Sequence, residues 1–403
     1  MIVHNSCRIC GERDFHQVVD FGNQSPSNKL TDHINSPEWS YPLKLYYCKN
    51  CGLLQLLHIV PPKILFQEDY PYYTGKASKT IVKHFKDLAK LLEKEYNITT
   101  SDLVVDIGGN DGTLLSGYTK TNRTVNIEPS FDQSIYSMQV NNVMYPINDN
   151  FTPEVARRLV DLYGKAKIIT ATNMFAHIDD LYSFMAGIVY LLKDDGVFVI
   201  EVHHALSIIK DMEYDSIYHE HMSYYTINPL WHLAENFGMY VSKAEKIPIH
   251  GGSLRIYFKK GNEKSWGLKI ALEETEAGLH DVGAYDVFCL RAEKSRIKLH
   301  DLLKTLTDQG YTISGYGCPA KANTIINSAS LGEYIDYMID TTPAKQGKYT
   351  PNSHIPIYPT QYFYDHPTDY AILFPWNYAK EILEKEKDYK GKFIHPLTGE
   401  IIS

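Results

Sequence analysis

Short, wholly apolar runs alternate with amphipathic stretches through the middle of the chain. Positions 104–107 (Val-Val-Asp-Ile) read as a buried strand that breaks into a glycine turn, Gly108-Gly109-Asn110-Asp111-Gly112, and resumes as an apolar helix from Leu114. Upstream, 80–96 places apolar groups at helical spacing, so a helix precedes that strand. Downstream, 124–128 reads as the next strand, 150–163 as helix, 168–171 as strand, 181–192 as helix and 196–202 as another buried strand. Strand and helix thus alternate from about 100 to 205, the pattern of a doubly wound parallel sheet. From Gln309 it restarts: 310–324 is again strand, glycine turn and helix, with strands at 335–339 and 370–374. A polar helical stretch at 273–305 connects the two halves. The expected class is therefore α/β, with a central doubly wound, Rossmann-like sheet and a second C-terminal α/β domain. Two such sheets suggest a ligand held between them.

Ahead of the first sheet the chemistry changes. Cys7-x-x-Cys10 and Cys48-x-x-Cys51 are two knuckles, each followed by glycine (Gly11, Gly52). Four thiolates at this spacing surround one Zn²⁺ tetrahedrally, the glycines letting backbone amides turn toward sulfur; the alternative is four reduced thiols. With no fifth ligand evident, the site is expected to be closed and to serve folding. The expected domains are a small zinc-binding module at 1–75, a central domain at 76–265 and the C-terminal domain at 266–403.

Composition narrows the classes further. A chain of 403 residues suits two or three domains, and 44% apolar with 22% charged residues is ordinary for a globular enzyme. A net charge of −8 argues against coating nucleic acid or anionic lipid, so no nucleic-acid partner is expected. No basic start leads into an apolar core, and no apolar run reaches the roughly 18 residues of a membrane span, so no membrane association and a cytoplasmic location are expected. The 31 tyrosines suit sugar or nucleotide surfaces, or else reflect codon bias.

The first glycine turn and Glu128, at the tip of the second strand, outline a nucleoside pocket in which the acid holds two ribose hydroxyls. The order Asp-x-Gly-Gly-Asn-Asp-Gly is not the G-x-G-x-x-G of dinucleotide folds. It is the usual first motif of S-adenosylmethionine methyltransferases, which makes Asp106, Gly108, Gly109, Asn110, Gly112 and Glu128 candidate donor-binding residues. Asn173, in Asn173-Met-Phe-Ala-His177 after the 168–171 strand, joins them at the carboxyl edge of the sheet.

The densest ionisable cluster is Tyr218-His219-Glu220-His221-Met222-Ser223-Tyr224-Tyr225. Extended, it would put Tyr218 and Glu220 on one face and His219 and His221 on the other; a local turn would change that. A histidine here can abstract a proton, with Glu220 fixing its tautomer and Tyr218 assisting at an oxyanion. A His-x-His metal site and a hydrogen-bonded polar loop are the alternatives. His250-Gly251-Gly252-Ser253-Leu254-Arg255 exposes amides and a charge suited to phosphate, or else turns a hairpin. Tyr316, Lys321 and Asn323 sit where a pyrophosphate or base could meet a helix N-terminus.

Together these segments resemble the sugar C-methyltransferases that add a methyl branch to nucleotide-linked deoxysugars. The resemblance spans essentially the whole chain: the cysteine knuckles, Phe21-Gly-Asn-Gln-Ser-Pro-Ser-Asn28, Tyr70-Pro-Tyr-Tyr73, the turn at 106–112, 173–177, 218–225, 250–255, Gly315-Tyr-Gly-Cys-Pro-Ala-Lys-Ala-Asn-Thr324, 340–349 and 354–357. It implies a zinc module, a methyl-donor domain and a C-terminal domain that helps hold the nucleotide sugar. It also implies Tyr72, His177, Tyr218, Glu220 and His221 as the active-site set, with Tyr218 or His221 the base; the candidate substrate contacts are Asn28, His250, Ser253, Arg255, Tyr316, Lys321 and Asn323. Departures at 25–28 and 73–76 bear on sugar identity more than on reaction type.

A sugar carbon becomes nucleophilic only when a neighbouring ketone acidifies its C–H bond. The expected substrate is therefore a nucleotide-linked 4-keto-6-deoxyhexose methylated at C3 through an enolate, His221 removing the proton and His177 and Tyr72 donating to the enolate oxygen. Methylation of a sugar oxygen or nitrogen, and a non-catalytic zinc-containing nucleotide-sugar-binding protein, are the rival readings. A monomer or homodimer is expected.

Overall fold

The computed structural model describes residues 1–66, 73–263 and 268–402. Its central sheet has seven strands in the order Met239–Ile247, Ser253–Lys260, Leu192–His203, Ala166–Thr172, Val104–Ile107, Thr124–Ile127 and Tyr145–Ile147. The five that come first in the chain run parallel, and the last two form an antiparallel hairpin on one edge. Alternate residues of each parallel strand enter different cores, as period-two geometry requires. Val105, Ile107, Ile169 and Phe198 pack against Pro153–Tyr163 and Leu181–Leu191. Val104, Ile168 and Val197 pack against Lys79–Glu95 on the other side. Helices cover both faces, which is why these strands are apolar throughout.

Side chains start these helices. Ser78 accepts from Ile81 N, Thr152 from Val155 N and Asp180 from Ser183 N, each satisfying an amide that has no partner within its helix. Strand order reverses direction between Val104–Ile107 and Ala166–Thr172, so a crevice opens at their carboxyl ends.

The C-terminal sheet has six strands, ordered Ile357–Tyr358, Tyr337–Ile339, Ile313–Tyr316, Tyr370–Leu373, Lys392–Ile394 and Ile401–Ile402, all parallel but the last. The polar connector is two helices rather than one. Leu268–Glu276 ends before Gly278, whose φ of +76° reverses the chain, and Asp281 caps the start of Val282–Asp308.

In the N-terminal module, Phe15–Gln24, Tyr41–Cys48 and Leu54–Leu56 form an antiparallel sheet whose fourth strand is Ser223–Tyr224, immediately after the 218–221 cluster. Ser223 pairs with Gln55 and Tyr224 with Leu54, and Leu56 N donates to the Met222 carbonyl at 2.9 Å. No helix among the described residues is long and apolar enough to cross a membrane.

One local expectation fails. The first glycine turn leads not into an apolar helix but into a single 3-10 turn, Leu115–Gly117. Asp111 accepts from both Thr113 N and Thr113 Oγ1, and Gly112 takes φ +75°, so the chain folds back before an α-helix can nucleate. At this turn Asn110 N and Thr113 N answer to side chains, and Gly108 N and Gly112 N to backbone carbonyls.

Candidate active site

Two turns at the carboxyl edge of the central sheet build the first half of the site. Gly108 (φ +65°) follows Val104–Ile107, and a Cβ there would stand 2.9 Å from Met174 Cγ in the neighbouring 173–177 turn. Gly109 is tighter still: a Cβ would meet Asn126 Oδ1 at 2.3 Å and Asp106 Oδ2 at 2.7 Å. Only glycine lets the backbone lie this close to the strand tips. Asp106 is buried and accepts from Thr170 Oγ1 at 2.6 Å; burial pushes its carboxyl up to about 7. Glu128 accepts from Asn110 N at 3.0 Å and Ser130 N at 2.9 Å, and burial outweighs these bonds, raising it to about 6.

Asn110 and Asp111 are held from outside the sheet. Thr74 N donates to Asn110 Oδ1 at 2.9 Å and Gly75 N to Asp111 Oδ2 at 2.7 Å, so the Thr74–Ala77 turn is strapped to the glycine turn. Neither Thr74, Gly75 nor Asp111 stood out in the sequence, although Asp111 lies inside the motif. Tyr72 lies outside the described residues.

The second half begins with the 173–177 turn, entered by Asn173 at φ +56° with its amide on the Glu201 carbonyl. At its far end His177 donates Nδ1–H to the Glu220 carbonyl at 2.5 Å, and its ring centre lies 5.2 Å from that of His221. Residues 218–221 are themselves a turn, closed by His221 N on the Tyr218 carbonyl at 3.0 Å. The extended arrangement is thus replaced, and Tyr218 and His221, three apart, come together with Tyr218 Oη 2.8 Å from His221 Nε2. His221 Nδ1 lies 3.0 Å from the Ser216 carbonyl, which can only accept, so Nδ1 carries the proton and Nε2 accepts from the phenol. The Ser216 carbonyl, not the Glu220 carboxylate, therefore sets the tautomer. Burial, then the neighbouring His177 and His203, hold the His221 ring well below its usual range, so it is neutral.

His219 turns the opposite way, its Nε2 on the Tyr41 carbonyl at 3.3 Å, which separates it from His221. Among the described residues, the only grouping of three or more His, Cys, Asp or Glu side chains close enough for one metal is the cysteine quartet. There the four Sγ atoms lie within 4.8 Å of one another. Gly11 N and Gly52 N donate back to the Cys7 and Cys48 carbonyls at positive φ. Four buried or half-buried thiols in this arrangement fit Zn²⁺ and leave no open position.

Glu220 points toward the N-terminal module. Its Oε1 accepts from Asn28 N at 3.3 Å and Asn28 Nδ2 at 3.2 Å; Oε2 has no partner among the described residues, and burial raises the carboxyl to about 7. Asn323, on the helix Ala320–Ser328 of the C-terminal half, donates to the Ser27 carbonyl at 2.6 Å, and its own buried Oδ1 has no partner among the described residues. N-terminal, central and C-terminal residues therefore meet around Asn28 and Glu220. Lys321, two residues ahead of Asn323 on the same helix, faces Asp215 Oδ2 at 3.6 Å and donates to Asn377 at 3.0 Å. His250 and Gly251 border a cavity of about 270 Å³ with Trp376, Asn377 and Tyr378 across from them.

Three expected contacts lie elsewhere. Arg255 is locked into the sheet against Glu201, Nε and NH2 both 2.7 Å from Oε1, and His84 approaches the same carboxylate at 2.9 Å. Glu201 ends a run of apolar strand residues, the one signal in the sequence for this buried pair. The stretch at 250–253 is the turn of a hairpin, Gly252 N bonding the Ile249 carbonyl and Ser253 Oγ donating to that same carbonyl. Tyr316 sits in an apolar cluster with Phe363 and Phe393 and donates to Glu386 at 2.6 Å.

Comparisons with known proteins match three segments of the chain. Residues 7–66 match a family described as a putative zinc binding domain, 79–244 a methyltransferase domain and 248–398 a C-methyltransferase C-terminal domain. The C-methyltransferase NovU of Streptomyces niveus is 31% identical over 98% of this chain and 95% of its own length. Among solved structures, a S-adenosylmethionine-dependent methyltransferase from Clostridium acetobutylicum ATCC 824 covers 45% of this chain and 92% of its own, at 13% identity and a TM-score of 0.36. One from Anabaena variabilis ATCC 29413 covers 43% and 83%, at 15% identity and a TM-score of 0.34.

Proposed function

This chain belongs to the S-adenosylmethionine-dependent C-methyltransferases, and from that premise we propose that it methylates C3 of a nucleotide-linked 4-keto-6-deoxyhexose through an enolate. The observation that carries the reading is the Tyr218–His221 pair, a neutral imidazole with its Nε2 lone pair on a phenol, half-buried beside the place where all three parts of the chain meet. Such a pair takes up a proton without a metal ligand or a second substrate. The likeness to NovU supports transfer to carbon, and the resemblance to sugar C-methyltransferases supports the sugar acceptor; the cavity between the central and C-terminal halves supports a ligand held by both.

S-adenosylmethionine supplies an electrophilic methyl group on a sulfonium. Asp106, Gly108, Gly109, Asn110, Gly112, Glu128 and Asn173 would hold it, Glu128 offering its carboxylate to ribose hydroxyls. The C3 proton passes to the Tyr218 oxygen as the phenolic proton moves to His221 Nε2, leaving an enolate and an imidazolium. The enolate carbon forms the C–C bond as the S–CH₃ bond breaks, the ketone returns, and the proton leaves by the same two groups. His177 is a poor match for the enolate donor: with Nδ1–H on the Glu220 carbonyl and burial holding the ring neutral, its Nε2 accepts rather than donates. Glu220 is the better donor. A carboxyl raised to about 7 keeps a proton near neutrality, and its partnerless Oε2 can offer it to the enolate oxygen. Asn28 positions Glu220, and Asn323 holds the neighbouring Ser27 from the C-terminal half.

Incubation with ¹³C-methyl S-adenosylmethionine and a panel of dTDP-, GDP- and CDP-linked 4-keto-6-deoxyhexoses tests this. A new quaternary-carbon signal in NMR is expected. A methoxyl or N-methyl signal instead would overturn the C-methylation of a sugar.

A further inference from the structure

We infer that Asp215 and Trp376 are positioning residues, through which the C-terminal half holds the 214–217 turn and thereby the ring orientation of His221. The inference rests on the reading of His221 as part of the base. Asp215 is fully buried in the 3-10 turn Tyr214–Ser216. Its Oδ2 accepts from Trp376 Nε1 at 2.7 Å and faces Lys321 Nζ at 3.6 Å, while Lys321 lies over the Trp376 ring, 4.2 Å from its centre. On the other side of Ser216, the Ile217 carbonyl accepts from Thr324 Oγ1 at 3.1 Å, one helical turn beyond Lys321. Both neighbours of Ser216 are therefore tied to the C-terminal half. The Ser216 carbonyl between them takes His221 Nδ1–H at 3.0 Å and the Tyr224 hydroxyl at 3.2 Å.

A neutral imidazole has two tautomers of similar free energy, and the hydrogen bond made by one nitrogen decides which is present. Holding the Ser216 carbonyl in place keeps the proton on Nδ1 and the lone pair on Nε2, where Tyr218 meets it. Packing alone would not call for this arrangement. Asp215 buries a carboxyl whose Oδ1 has no partner among the described residues, a cost that an apolar residue at this position would avoid. The carboxylate's charge is matched instead by a cation and an indole N–H from the other half of the molecule.

Trp376 lies half-buried at the rim of the cavity, so Trp376→Phe removes the N–H donor while leaving the core intact. Thr324→Val removes the second tie without changing side-chain shape, and Thr324→Ser keeps the hydroxyl. Side-chain ¹⁵N shifts of His221 in the uniformly ¹⁵N-histidine-labelled chain report the tautomer without any substrate. The panel's best acceptor then gives kcat and KM. In Trp376→Phe and Thr324→Val the Nδ1–H signature is expected to become that of a mixture and kcat to fall roughly tenfold, about one lost hydrogen bond, with donor affinity within about twofold in both and acceptor KM within about twofold in Thr324→Val, which lies outside the cavity lining. Thr324→Ser is expected to restore both readouts. An unchanged His221 signature in both variants overturns the inference, whatever happens to kcat. A mixed signature with unchanged kcat upholds the positioning and instead removes His221 from the base.

Discussion

Arg8, inside the first cysteine knuckle, donates Nε to Asp179 Oδ1 at 3.0 Å, one residue before the cap of the helix Leu181–Leu191. Its NH1 donates to Gln55 Oε1 at 3.1 Å and the Leu56 carbonyl at 2.6 Å, beside the strand that pairs with Ser223–Tyr224. The metal module is thus fastened both to the central sheet and to the segment carrying Tyr218 and His221. Stripping zinc with a strong chelator is expected to abolish methyl transfer as metal is released, while calorimetric binding of S-adenosylmethionine stays within severalfold. Full activity in the zinc-free chain would contradict this.

The donor turn tolerates no side chain at Gly109. In Gly109→Ala the new methyl would collide with Asn126 Oδ1 and Asp106 Oδ2, so the strand tips must move, at about 1–3 kcal/mol of overpacking strain. Donor affinity is expected to fall by at least an order of magnitude on that scale. Calorimetry and thermal melts measure the two effects separately.

Tyr218→Phe deletes the proton partner of His221 Nε2 and leaves the ring stacking surface in place. Methyl transfer, and exchange of the C3 hydrogen with D₂O, are expected to drop by roughly 10²–10⁴-fold, the usual range for losing a general acid–base group. His221→Ala should behave alike, with donor binding retained in both. Normal deuterium exchange in either variant would take that residue out of the base.

Burial raises Glu220 to about 7, so the folded chain holds a proton that the unfolded chain releases near 4.5. The sign follows: this group's contribution to stability is full below about pH 4.5 and is lost as pH rises through about 7. Glu220→Gln, which cannot ionise, should gain on the order of 3 kcal/mol relative to the parent between pH 5 and pH 8, read from urea melts at each pH. Its transfer rate should also lose the fall above pH 7 that the parent shows as the donor proton leaves. Parallel stability profiles would show that the carboxyl titrates normally.

Arg255 separates a structural charge from a ligand contact. Arg255→Met leaves Glu201 buried against His84 alone, and the loss of a buried partner costs about 3–5 kcal/mol. A large drop in the urea midpoint is expected. A stable variant with only a raised acceptor KM would instead return Arg255 to the phosphate.

Much of this was legible because the signals are local. The run at 104–107, the knuckles and the 80–96 periodicity each specify their element through residues a few positions apart, and each element formed within a few residues of its expected ends. The helix expected after Gly112 did not, because the competing side-chain bonds of Asp111 are a choice that composition and periodicity do not record. The same holds at 218–221, where alternation predicted opposite faces for Tyr218 and Glu220 against His219 and His221, and a turn brought Tyr218 onto His221. Arg255 was misleading for a different reason. Its partner Glu201 lies 54 residues away, and only strand pairing puts the two side by side. Asp215, Trp376 and Thr324 carry no motif at all; their meeting is tertiary.

The N-terminal sheet is completed by Ser223–Tyr224, whose residues are made long after the cysteine knuckles. The zinc module therefore leaves the ribosome with an open edge and closes it only when the middle of the chain has been synthesised. It is also not a cassette. A chimera that exchanges the first 66 residues for those of a relative would need to carry 218–225 with them, or the graft would seat its own strand partner in the wrong register beside the catalytic turn.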